Sequence, residues 1–171
     1  MERVLVFVLY KKEATRIEEF LAQQGWKVSS VHGDKTQAAR QKAVDDFKAG
    51  KVPILIATDV AARGLDIPGV DLVINFSFPL TIEDYVHRIG RTGRAGRKGV
   101  AYTFFQAKFD SLRAGELVKV LKDAGQPVPE KMKSFNLNIK KKEHKLYGSF
   151  GKKDYNNAPM KAPTKIVFGD D

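Results

Sequence analysis

The 171-residue chain contains no cysteine, and that absence removes several chemistries at once. Disulfide frameworks, thiolate-bound zinc, iron–sulfur clusters and cysteine nucleophiles are excluded. Histidine is scarce too: His32, His87 and His144 are scattered with no metal-ligand spacing among them, so no metal site is expected. Long apolar runs are also missing. The longest, Val4 to Tyr10, falls far short of the ~20 residues a membrane-spanning helix needs. No signal-peptide pattern opens the chain, because Glu2 and Arg3 lead directly into that strand-like run. No internal repeat of useful length is present.

What is present is positive charge. The chain carries 30 Lys and Arg against 20 Asp and Glu, a net of +10 with a pI near 9.7. Hydrophobic residues make up 43%, enough for a core, which argues against wholesale disorder. The expected partners are therefore polyanions rather than membranes.

The cations are unevenly placed. Residues 1–126 hold 20 Lys and Arg against 15 Asp and Glu, while residues 127–171 hold 10 against 5, and every arginine lies in the first part. Pro127 and Pro129 follow Gly125, a natural helix stop, which predicts a domain over 1–126 and a lysine-rich extension over 127–171. That extension interleaves its lysines with Phe135, Tyr147, Phe150, Tyr155 and Phe168. It is expected to be partly ordered or packed on the domain, with auxiliary RNA binding and simple solubilisation as its two readings.

Within the first part, apolar runs alternate with helical patterns. Strands are predicted at Val4–Tyr10, Trp26–Val31, Pro53–Ala57, Leu72–Phe76 and Val100–Phe105, and helices at Glu13–Gln24, Thr36–Lys48, Glu83–Ile89 and Asp110–Ala124. Strands without polar alternation suit burial on both faces, so the fold class is α/β: a three-layer domain with a mostly parallel sheet flanked by helices. Ligands are then expected at the carboxyl ends of the strands, where the loops collect.

Those loops carry the unusual chemistry. Arg88, Arg91, Arg94 and Arg97 recur every third residue, with Gly90, Gly93, Gly96 and Gly99 among them and Arg63 upstream. A guanidinium is planar, permanently charged and grips phosphate oxygens as a fork, and glycine lets a ligand come close. Such a run suits charge stabilisation on a transferring phosphoryl group, or a hold on a nucleic-acid backbone; a solvated basic turn is the bland alternative. Asp66, beside Gly64, suits a ribose hydroxyl or a simple turn cap. Gln37 and Arg40 open a helix, whose free N–H groups favour a phosphate.

Together these segments resemble the second RecA-like domain of DEAD-box RNA helicases. Val4–Lys11 resembles motif IV, and His32-Gly33-Asp34 with Gln37 and Arg40 resembles motif IVa. Ala57-Thr58-Asp59 and Ala62-Arg63-Gly64-Leu65-Asp66-Ile67-Pro68 resemble motif V, and His87-Arg88-Ile89-Gly90-Arg91-Thr92-Gly93-Arg94 resembles motif VI. The likeness runs in family order over roughly residues 3–125. A narrower likeness to fungal nucleolar members that process pre-ribosomal RNA rests on Leu9–Ala14, Pro79–Thr81, Lys140–His144 and Tyr147–Phe150.

The resemblance implies roles. Asp66 would contact the ATP ribose, Arg91 and Arg94 would reach the γ-phosphate as arginine fingers, and His87 would couple the cleft to a partner domain. Gln37, Arg40 and Thr58 would hold the RNA backbone. No phosphate-cradling G-x-x-x-x-G-K-S/T loop and no Asp-Glu-Ala-Asp string occurs, so the chain is expected to be the C-terminal half of an ATP-dependent RNA helicase, inactive alone. ATP is the implied nucleotide, with Mg2+ ligated by an N-terminal RecA-like domain. The implied partners are that domain and RNA, pre-ribosomal by the narrower likeness, for a monomer of the nucleus and nucleolus. A catalytically silent RNA-binding scaffold and a DNA translocase of the same superfamily stand as alternatives.

Overall fold

Val4–Val8 forms strand β1 at the centre of a sheet, and burial on both faces explains why valine recurs there without polar interruption. In the computed structural model, which describes residues 2–94, 96 and 98–137, the chain continues through α1 (Lys11–Gln23), β2 (Val28–Val31), α2 (Gln37–Lys48) and β3 (Ile54–Thr58). A one-turn helix α3 (Asp59–Ala62) leads to β4 (Leu72–Asn75), α4 (Ile82–Ile89) and β5 (Val100–Thr103). A short α5 (Ala107–Asp110), a 3-10 turn at Ser111–Arg113, α6 (Ala114–Asp123) and a second 3-10 turn at Glu130–Ser134 follow. Expectations for Lys140–His144, Tyr147–Phe150 and the later tail aromatics lie outside the described residues.

The five strands are all parallel, in the order β2-β3-β1-β4-β5. Pairing sets Phe7 beside Ala57 and Asn75, and Asn75 beside Thr103. Side chains alternate between two faces. Val6, Val8 and Ile56 meet Ala14, Ile17 and Leu21 of α1, while Leu5, Phe7, Leu55 and Val73 meet Val44 and Phe47 of α2 with Leu65 and Ile67 of the β3–β4 connection. The α/β layering read from the sequence is the layering observed.

A second core lies under α4 and α6. Phe78 stacks on Tyr85 and meets the edge of Phe105, whose ring in turn meets Phe135. Leu117, Val118 and Met132 complete this cluster, so the chain beyond Pro129 contributes Met132 and Phe135 to the same packing. Gly115 is required there, because a Cβ on it would collide with the backbone of Leu137.

Several boundaries shift from the sequence expectation, and the helix read over Asp110–Ala124 is broken into α5, a 3-10 turn and α6; two departures have a clear physical cause. Helix α1 begins at Lys11 rather than Glu13, because the Glu13 carboxylate reaches back to accept the Leu9 and Tyr10 amides at 3.2 and 3.1 Å. Strand β5 is not buried on both faces: Val100 is 48% exposed and Tyr102 61%, and Phe104 just beyond it is exposed too. Helix α1 covers the β1–β3 side and leaves a groove of about 830 Å³, lined by Ile17, Phe20, Ile74, Phe76 and Phe104 among others.

Candidate functional site

Helix α4 is set by local chemistry. Thr81 caps it, accepting the Asp84 amide at 3.0 Å, with Glu83 and Asp84 in the first turn and His87 and Arg88 in the last, each at the end that suits its charge. Tyr85 and Arg88, one turn apart, both face inward. Arg88 is 1% exposed. Its Nε and Nη2 donate to the two oxygens of Asp59 at 2.7 and 2.6 Å, and its Nη1 donates to the Ser77 carbonyl at 2.7 Å with a longer contact to Asn75 Oδ1 at 3.4 Å. The guanidinium also lies over the Phe7 ring, 5.1 Å from its centre. Asn75 passes the network on, donating to Thr103 Oγ1 at 3.0 Å. One arginine thereby joins α4 to β1, to the end of β3, and to β4 and its exit.

The next arginines are used differently. Arg91 lines a small recess of about 60 Å³ with Phe7, Asp59, Ala62, Arg63, Asp84, His87 and Arg88, which admits water and nothing the size of a nucleotide. His87 is exposed on its rim. Among the described residues no hydrogen-bond or ion-pair partner takes up the Arg91 guanidinium. Arg94 spends its Nε on the Gly90 carbonyl at 2.7 Å and leaves the rest of an exposed guanidinium open. The backbone that carries both is pinned: Val70 N–H donates to Arg91 O at 2.9 Å, and Thr92 Oγ1 donates to Asp71 O at 3.0 Å. Gly93 adopts φ +67°, and a Cβ on Gly99 would collide with the Gly93 amide, so these two glycines let the loop fold back on itself. The segment therefore runs to the opening of β4 rather than staying at the carboxyl ends of the strands.

Asp66 projects into solvent with its side chain 92% exposed and pairs with Lys48 at 2.7 Å. The Lys48 ammonium holds its carboxyl below the usual carboxylate range, and Arg91 acts in the same direction. Asp66 and Arg91 thus share one field, although Asp66 does not line the recess.

Gln37, Arg40 and Thr58 come from β3 and from α2. Thr58 ends β3 and is buried, while β2 lies next to β3 and leads through His32 to α2. Gln37 is exposed in the first turn of α2 and Arg40 is half-buried, with its Nε buried and unpartnered; His32 Nδ1 is likewise buried and unpartnered. Burial lowers the His32 pKa from its ordinary value, with Lys35 adding to the effect. Among the described residues, no group of three or more His, Asp or Glu is arranged to hold a metal ion. In the sequence, Arg88 falls in the phosphate-gripping run and Asp59 in the motif V string, neither with a role of its own. The structure instead buries Arg88 on Asp59; the signal for that burial was the Tyr85–Arg88 spacing, which puts an arginine on the buried stripe of α4.

The family model for the helicase conserved C-terminal domain matches residues 1–96. The chain belongs to that family. Its DEAD-box relatives include DEAD-box ATP-dependent RNA helicase 5 of Oryza sativa subsp. japonica, 61% identical over 98% of this chain and 32% of that protein. ATP-dependent RNA helicase dbp3 of Aspergillus terreus is 58% identical over 99% of this chain and 34% of its own length. Among solved structures, the yeast DEAD-box splicing factor Prp28 aligns with TM-score 0.71 at 39% identity, covering 77% of this chain and 30% of that one. The chain thus spans about a third of the length of the curated relatives it matches. The helicase domain has the sheet and flanking helices of these proteins, and its motif segments lie where the geometry above sets them.

Proposed function

We propose that this helicase domain is one wall of an ATP-dependent RNA clamp, completed by an N-terminal RecA-like domain. The observation that carries the reading is the pair of unspent cations. Arg91 and Arg94 hang on a pinned loop with guanidinium donors free, in the field of an exposed Asp66. Preorganised donors of this kind stabilise the charge that develops on a transferring phosphoryl group. In this reading both act as arginine fingers on the γ-phosphate, and Asp66 takes the ribose once it exchanges Lys48 for it. His87 lies exposed beside them, positioned to couple the cleft to the partner domain.

Gln37, Arg40 and Thr58 hold RNA through its phosphates, which gives affinity without reading bases. The unpartnered Arg40 Nε supports this: a buried donor lacking an acceptor is costly unless a ligand supplies one. Mg2+ accompanies the nucleotide and is ligated from the N-terminal domain. Joint binding closes the clamp, strains a short duplex and opens it locally, and hydrolysis resets it. The substrates are pre-ribosomal RNAs and the place of action is the nucleolus, in keeping with the narrower motif resemblance.

The test is ATP hydrolysis by the full-length protein with and without RNA. Turnover is expected to rise with RNA, not with matched DNA, while residues 1–171 alone hydrolyse ATP at negligible rates. RNA-stimulated turnover by residues 1–171 alone overturns the half-enzyme reading, equal stimulation by DNA favours a translocase, and RNA binding without any hydrolysis favours a scaffold.

A further inference from the structure

The proposed RNA contacts and the proposed phosphate contacts lie on different elements. Thr58 ends β3, whereas His87, Arg91 and Arg94 belong to α4 and the loop after it. A clamp that binds two ligands jointly needs something rigid between them. We infer that the Asp59–Arg88 pair is that element: a positioning pair that makes nucleotide and RNA binding interdependent. The inference rests on the function proposed above.

The geometry argues for it in three ways. Asp59 is the residue immediately after Thr58 and opens α3, from which the chain runs on through Arg63 to Asp66. Arg88 is flanked by His87 and sits one turn before Arg91. A bidentate bond between the two therefore fixes the segment that runs from Thr58 to Asp66 against the helix that bears His87 and leads into Arg91.

The remaining donors of Arg88 make this attachment hard to shift. Its bond to the Ser77 carbonyl and its seat over Phe7 tie the pair to β4 and β1, so the guanidinium cannot rotate without giving up several contacts. A packed, hydrogen-bonded connection of this kind is the sort of physical link through which binding at one site can bias another. Asp59 also lines the recess that Arg91 enters, with its side chain 19% exposed, so it is the member of the pair that sees the ligand side.

A purely structural pair would matter for stability and nothing else, and the two roles separate by measurement. In the full-length protein, RNA affinity is measured with and without a non-hydrolysable ATP analogue, and analogue affinity with and without RNA. The ratio is a coupling factor that must agree from both directions and that a simple loss of folded protein does not change. Couplings of this kind typically run about 5–150-fold.

Asp59→Asn keeps the shape but removes the charge, and the coupling factor is expected to fall toward 1. Because this variant also loosens the fold, the pair Asp59→Leu with Arg88→Met is tested beside it. Replacing a buried ion pair by apolar side chains often restores stability. The expected result is that the double variant melts like the parent and still shows no coupling. Recovery of the coupling factor together with the melting temperature, or full coupling in Asp59→Asn, overturns the positioning role. Absence of any coupling in the unsubstituted protein instead overturns the proposed clamp.

Discussion

Two arginines six residues apart, in one repeating run, lead opposite lives. Arg88 is sealed inside the domain with both faces of its fork occupied, whereas Arg94 stands in solvent with most of its donors open. Both have the same charge and the same phase in the three-residue repeat. The difference lies in what waits for them: Asp59, Ser77 and Phe7 converge on one, and nothing among the described residues converges on the other beyond the Gly90 carbonyl. Residue type establishes that an arginine can grip an oxyanion; surroundings decide whether that grip is spent on the fold or reserved for a ligand.

That contrast can be broken most forcefully from the solvent side. In the full-length protein, the proposed finger role predicts that Arg94→Ala lowers turnover by ~10³-fold or more while leaving the melting temperature of the domain in place, because an arginine that acts on the transition state carries rate rather than stability. ATPase kinetics and a thermal melt on the same preparation check both halves, and unchanged turnover removes Arg94 from the finger role. From the buried side the outcome inverts. Arg88→Ala strands the Asp59 carboxylate, so unfolding stability should drop by about 3–5 kcal/mol, read as a shifted denaturant midpoint. A midpoint within experimental error of the parent would mean that the buried pair does not hold the domain together.

A smaller effect, away from both arginines, is read by pH. The folded-state pKa of His32 is lowered below its ordinary 6.5, so the unfolded chain takes up a proton before the folded domain does. The stability tied to neutral His32 is complete above pH 6.5 and is lost as pH falls from there through the lowered pKa. Melts across that window should show this loss, and His32→Gln should flatten it. A parent whose stability is level from about pH 7.5 to about pH 5.5 (roughly one unit on either side of the ordinary His value) would refute the assignment.

Much of the architecture was legible beforehand, and the reasons are local. Val4–Val8 and Ile54–Thr58 announce buried strands because parallel strands meet apolar neighbours on both faces. Helices α1, α2, α4 and α6 announce themselves by one-turn periodicity. Helices α3 and α5 have four residues each, too few for a period to register. The exposure of β5 was hidden for another reason: Val100 to Phe105 reads like any buried strand, and its covering layer is a tertiary fact. The loops of the candidate site were visible as chemistry. Arg88 was visible as an arginine but not as a buried one, because its partner lies 29 residues upstream and the burial of a charge depends on the pairing.

The half-covered face of the sheet has a consequence at the bench. Strand β5 is an edge strand, with Val100 and Tyr102 on it and Phe104 just past it open to solvent, an arrangement that invites edge-to-edge and face-to-face association. The opposing force is the net charge of +10, which keeps copies apart only while it is unscreened. At ~0.15 M salt the screening length is about 8 Å, so repulsion between molecules fades over the same range in which phosphate binding weakens. Weakening of the proposed RNA contacts and colloidal loss of protein therefore lie on one salt axis, and a titration that reads only bound RNA will confuse them.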